Sequence, residues 1–172
     1  MATQPRAGEM LVGAYLKLIE ECEVVAYGQH SPLEGEQMEV DVIGIQPSGD
    51  REVITCEVAT HLRGLGYGTA EENGERVARK FEHARQYVDR VFGPAETHRF
   101  QFWSPNVPPA SEAALREVAT DFGARSDAEL ELVVNEGYAD RVDELRAVAA
   151  STYAQRNELA FRFLQILEHV RE

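Results

Sequence analysis

The stretch Glu39-Val40-Asp41-Val42-Ile43-Gly44-Ile45, the turn Gln46-Pro47-Ser48-Gly49-Asp50 and the run Arg51-Glu52-Val53-Ile54-Thr55-Cys56-Glu57-Val58-Ala59-Thr60 read together as a β-hairpin with acids inside apolar strands. Strand side chains alternate faces. Glu39, Asp41, Ile43 and Ile45 therefore share one side of the first strand, and Val53, Thr55, Glu57 and Ala59 one side of the second. A three-residue loop over 48–50, with Gly49 near the position that needs a positive φ, sets Pro47 across from Arg51. In that register Asp41 falls opposite Glu57 and Glu39 opposite Ala59. Directly opposed residues point the same way, so the two carboxylates converge. A carboxylate in an apolar setting is costly unless it is paired, hydrogen-bonded or bound to a metal. Two together also repel, and a shared divalent cation relieves both problems. Carboxylate and carbonyl oxygens suit Mg²⁺ or Mn²⁺, which keep several waters and accept substrate phosphates. Hydrogen bonds from loop amides, or ion pairs with Arg63, Arg79 or Lys80, would satisfy the same acids in a purely structural network.

Working outward, helical spacing of Met10, Leu11, Ala14 and Leu18 predicts an amphipathic helix over 8–21, followed by a strand over 23–27. After the hairpin comes a loop containing Gly64, Gly66, Gly68 and Gly74, which matches neither phosphate-binding nor dinucleotide fingerprints. A helix over 75–91 follows, stopped by Gly93-Pro94, and then a strand over 98–103. Ser111 is an expected N-cap of a helix that closes at Phe122-Gly123. A strand over 129–135 precedes helix from Ala139 onward, broken near Ser151-Thr152. The expected class is α/β in a single domain, with a core over 8–105 and a C-terminal α/β extension over 106–172.

The acid pattern and the order helix, three strands, helix, strand resemble the PD-(D/E)XK nuclease superfamily, whose members share a restriction-endonuclease-like αβββαβ core. The resemblance covers about the first two-thirds of the chain. It implies that Asp41 is the metal-binding Asp, Glu39 the acid before it, and Glu57 the Glu of the family's Glu-x-Lys. Ala59 stands where the family has its Lys. Some members draw the equivalent group from the following helix, which makes Lys80 the candidate here and His61 the second. The implied activity is metal-dependent phosphodiester hydrolysis of DNA or RNA. Mg²⁺ or Mn²⁺ would be held by Asp41, Glu57, the carbonyl of Val58 and Glu39, with Lys80 or His61 positioning water or phosphate. Loss of catalysis, leaving a nucleic-acid-binding or protein-interaction module, is the alternative that Ala59 raises. Glu9 and Glu20 are both candidates for the further acid that some members contribute from the first helix.

A formal net charge of −13 over 172 residues gives no chain-wide electrostatic footprint for nucleic acid. The local distribution differs, because Arg63, Arg76, Arg79 and His83 cluster just after the acidic hairpin and are the expected nucleic-acid-binding residues. Arg76, Arg79, Lys80 and His83 recur at three- and four-residue spacing and share a helix face. Two cysteines, Cys22 and Cys56, suggest neither a disulfide framework nor a zinc site, and are expected as reduced thiols. No apolar run approaches a membrane span and the N-terminus lacks an export signal, so a cytoplasmic protein without membrane contact is expected. The last helix carries Leu159, Phe161, Phe163, Leu164, Ile166, Leu167 and Val170. That apolar arc, wider than one packed face, predicts either cover for the sheet or a homodimer or partner contact.

Overall fold

A computed structural model describes residues 4–30, 38–46, 52–66, 68–93, 97–126 and 128–170. The expected loop at Ser48, Gly49 and Asp50, with Pro47 facing Arg51, lies outside them. Elements follow the order α1 (Ala7–Leu18), β1 (Val24–His30), β2 (Glu39–Ile45), β3 (Glu52–Val58), α2 (Ala70–Val91), β4 (Thr97–Ser104), α3 (Pro109–Arg125), β5 (Glu129–Val134), α4 (Glu136–Ser151) and α5 (Leu159–His169). The strands form one mixed sheet in the order β1-β2-β3-β4-β5. β1, β2 and β3 run antiparallel, whereas β3, β4 and β5 run parallel. The chain is thus α/β, and β5 joins the same sheet as the hairpin, so the expected extension shares the sheet of the core.

Alternation decides which side of the sheet each residue serves. On one face Val53, Phe100, Phe102 and Leu130 pack against Val77, Phe81, Ala84 and Val88 of α2 and Leu115 and Phe122 of α3. Phe81 meets Phe100, Phe102 and Phe122 edge-on, at centroid separations of 6.3, 6.5 and 6.1 Å. That geometry sets the positive ring edge of one against the negative face of another. On the opposite face Val42, Ile54, Cys56, Trp103 and Val133 pack against Val12, Tyr15 and Leu16 of α1, Leu145 and Ala149 of α4, and Phe161 of α5. Both cysteines are buried and free.

Several element boundaries differ from the sequence reading: α1 ends at Leu18 rather than near 21, β1 continues to His30, α3 runs on through Gly123 to Arg125 and α4 begins at Glu136 rather than Ala139. Two helix starts differ for capping reasons. α2 begins at Ala70 rather than near 75, because the Thr69 side chain accepts the Glu72 N–H at 3.2 Å while Glu72 Oε2 accepts the Thr69 N–H at 2.7 Å. This reciprocal box satisfies two orphan donors and carries the helix through Asn73 and Gly74, both weak helix formers. α3 begins at Pro109, with Pro108 as its cap residue. Ser111, expected as the N-cap, lies inside the helix and accepts a hydrogen bond from Asn73 Nδ2 at 3.0 Å, tying α3 to α2. Its hydroxyl is used by a tertiary partner, which local sequence does not reveal. The break expected near Ser151-Thr152 is present between α4 and α5.

Candidate functional site

The hairpin strands pair from Ile45↔Val53 to Val42↔Cys56. One step further along the same register sets Asp41 across from Glu57, at the end of β3 that abuts the C-terminal end of β4. Both acids are buried. Asp41 is fixed by the Val58 N–H, which donates to its Oδ2 at 2.8 Å. Lys80, three turns into α2, reaches down between them: Nζ donates to Glu57 Oε2 and lies 3.9 Å from Asp41 Oδ2. α2 can deliver this ammonium because Val77, Phe81 and Ala84 anchor its apolar face on the sheet, which leaves Lys80 on the flank toward the hairpin.

Above the pair opens a cleft of about 670 Å³, lined by Arg6, Glu9, Met38, Glu39, Asp41, Val58, Ala59, Thr60, His61, Arg76, Arg79 and Lys80. Glu57 is not part of this lining; its side chain is 1 % exposed and is bound by Lys80, which does line the cleft. Burial, and next the neighbouring Asp41 carboxylate, push the Glu57 carboxyl up to about 8, against the opposing pull of Lys80. Glu9, in the first turn of α1, accepts the Arg6 N–H at 2.9 Å. Its carboxyl is raised chiefly by burial and further by the charges of Asp41 and Glu39. Close packing holds α1 at this position, for a Cβ on Gly8 would stand 2.2 Å from Thr60 Cγ2.

Of the two acids expected on the first helix, only Glu9 lies in α1; Glu20 falls beyond its end at Leu18. Glu9 lines the cleft, whereas Glu20 is bound to Arg99 Nη2 at 2.7 Å, beside Glu52 at 3.3 Å from the same guanidinium. Among the residues named from sequence, Glu39, Asp41, Val58, His61, Arg76, Arg79 and Lys80 meet at one cleft, and Glu57 is bound to Lys80 of that lining. Arg63 is exposed on the loop beyond His61 and does not line the cleft. His83, one turn farther along α2, is half-buried and also outside the lining. Sequence reasoning passed over Arg6, Met38 and Thr60. For Arg6 a signal existed, since it sits three residues before Glu9 at the start of a helix.

Asp41 and Glu57 fit a hard divalent cation by chemistry: two adjacent buried carboxylates require compensating positive charge, and Mg²⁺ or Mn²⁺ completes its shell with water or phosphate oxygens. Among the described residues no group of three or more His, Cys, Asp or Glu is arranged to hold a metal, so Glu39 and Glu9 stand near the pair without closing a cage around it. Positive charge at the pair is supplied by Lys80. No helix of the described residues is long and apolar enough to cross a membrane. Comparison with protein-family models, with curated proteins and with solved structures gave no match to this chain.

Proposed function

We propose that the protein is a divalent-metal-dependent nuclease of the PD-(D/E)XK type, hydrolysing phosphodiester bonds of DNA or RNA. One observation carries the reading: Lys80 Nζ reaches both Glu57 and Asp41, so the ammonium absent from position 59 is delivered to the acid pair from α2. Bound Mg²⁺ or Mn²⁺ would lower the pKa of a coordinated water and offset charge on the phosphate. Asp41 and Glu57 would hold it, with Asp41 oriented by the Val58 amide. With the carboxylates compensated by a cation, Lys80 would be available to the phosphate or the attacking water. Arg76 and Arg79 on the cleft wall attract the sugar–phosphate backbone, giving the acidic chain a local basic rim. Glu9 and His61 also line the cleft and would contact water or substrate near the acids.

The test is cleavage of single- and double-stranded DNA and RNA with Mg²⁺ or Mn²⁺, comparing the native chain with Glu57→Ala and Lys80→Met. Activity in the native chain, reduced by about 10²-fold or more in each variant, supports the proposal, that being the scale for removing one group that stabilises transition-state charge. A second reading, a catalytically degenerate module of the same fold, is favoured by the closed Lys80–Glu57 contact. It predicts no cleavage and no Mn²⁺ binding by calorimetry.

A further inference from the structure

We propose that α5 is a homodimer contact, through which two copies of this chain pack antiparallel about a two-fold axis. The helix has two apolar faces. Its inner face, with Phe161 fully buried and Leu164 half-buried, packs into the core. Its outer face leaves Leu159 55 %, Phe163 59 %, Ile166 46 %, Leu167 50 % and Val170 74 % exposed. Tyr153, stacked on the His169 ring at 4.4 Å and itself exposed, extends this surface beside the helix.

Three observations identify a second copy as the occupant. First, Leu159, Phe163, Ile166 and Val170 follow a four-three-four spacing, the seam of a helix pair packed knobs into holes. That spacing is the same read in either direction, so in an antiparallel pair Leu159 faces Val170 of the second copy and Phe163 faces Ile166. An isologous interface requires such self-complementarity. Second, the seam is nearly free of acid on a chain of net charge −13. Glu168, the one carboxylate within α5, is bound to Arg146 Nε at 2.7 Å. Two copies that repel over most of their surface can therefore approach here. In this register the Arg162 stem lies against Leu167 of the other copy, so the arginines of the two helices do not oppose each other. Third, five half-exposed side chains of this size present on the order of 500 Å² per copy, and the two together reach the roughly 1,000 Å² at which specific contacts begin.

Sedimentation equilibrium of the full chain at micromolar concentration tests the proposal, together with Ile166→Glu and with the single variants Leu159→Cys and Val170→Cys. The native chain is expected to dimerise, more tightly as salt rises because screening relieves the mutual repulsion. Ile166→Glu, at an exposed position and therefore expected to keep the native circular dichroism spectrum, raises the dissociation constant at least about tenfold. Mixed under mild oxidation, the two cysteine variants form a disulfide with each other and neither does so alone. A monomer at all salt concentrations, a dimer indifferent to Ile166→Glu, or cross-linking of Leu159→Cys with itself overturns the proposal. The last outcome would mean a parallel pair.

Discussion

Among the described carboxyls, Glu57 has the setting that departs furthest from water, being buried against a second acid with an ammonium as its near partner. Its folded pKa of about 8 lies above the ordinary 4.5, so the native state keeps a proton that the unfolded chain has already lost. The stabilisation linked to that proton is complete below about pH 4.5 and declines as pH rises toward 8. Urea midpoints of the metal-free chain should therefore fall across this window, and Glu57→Gln should flatten the profile. A native profile already flat would mean that Lys80 keeps Glu57 ionised throughout. The residue pairing was readable in the hairpin: Asp41 and Glu57 meet because period-two alternation and a short turn leave one register that buries Val53 and Ile43 together. Lys80 was a candidate only through the resemblance, in which some members draw the equivalent group from the following helix; nothing local could place it, since contact across 23 residues depends on how α2 docks.

Among the elements, α2 and α1 are the two that build the site onto the sheet. The Thr69–Glu72 box sets where α2 starts, and the packing of Val77, Phe81 and Ala84 on the sheet sets the phase at which Lys80 appears. Thr69→Ala should cost about 1 kcal/mol, the usual value of a lost N-cap, read as a shift in denaturant midpoint at unchanged slope. Thr-x-x-Glu stands in the sequence at 69–72, but the glycines on either side, Gly68 and Gly74, favour a loop, and only the closed reciprocal hydrogen bonds decide for helix. α1 presents two opposing effects at Gly13, where a Cβ would stand 2.0 Å from the Tyr27 hydroxyl. Alanine gains helix propensity of up to about 1 kcal/mol, while overpacking costs about 1–3 kcal/mol. With Tyr27 Cζ also only 2.6 Å away, the ring cannot clear the new methyl by moving its tip alone. Gly13→Ala should thus be net destabilising in thermal unfolding, and a raised melting temperature would show that α1 adjusts freely on the sheet.

For the molecule as a whole, electrostatics oppose compactness. The formal charge is −13, and many of the observed ion pairs are local helix contacts such as Arg85–Glu82, Arg85–Asp89 and Arg116–Glu112. Exposed pairs of this kind contribute about 0–1 kcal/mol each, too little to offset the mutual repulsion of the excess acids. Added salt should therefore raise the melting temperature of the native chain. A fall would show that the more buried contacts, Arg99 with Glu20 and Glu52, and Arg141 with Glu131, dominate. Opposite the cleft, the second core is crossed by a polar chain. Gln101 Oε1 accepts from Trp103 Nε1 at 3.0 Å, Gln101 Nε2 donates to Glu131 at 2.7 Å, and Arg141 joins Glu131 to the Tyr15 hydroxyl. Its members come from α1, β4, β5 and α4, so no sequence window contains them together.

The sequence by itself determined the α/β alternation, the hairpin register and the pairing of Asp41 with Glu57, because each depends on side-chain period and turn chemistry within a few residues. Only the tertiary structure decided that Lys80 compensates the pair, that Glu9 rather than Glu20 reaches the cleft, and that His83 stands outside it. Those outcomes depend on the angle and phase at which α1 and α2 pack on the sheet. Both are set by close contacts between distant segments, Gly8 against Thr60 and Phe81 among Phe100, Phe102 and Phe122.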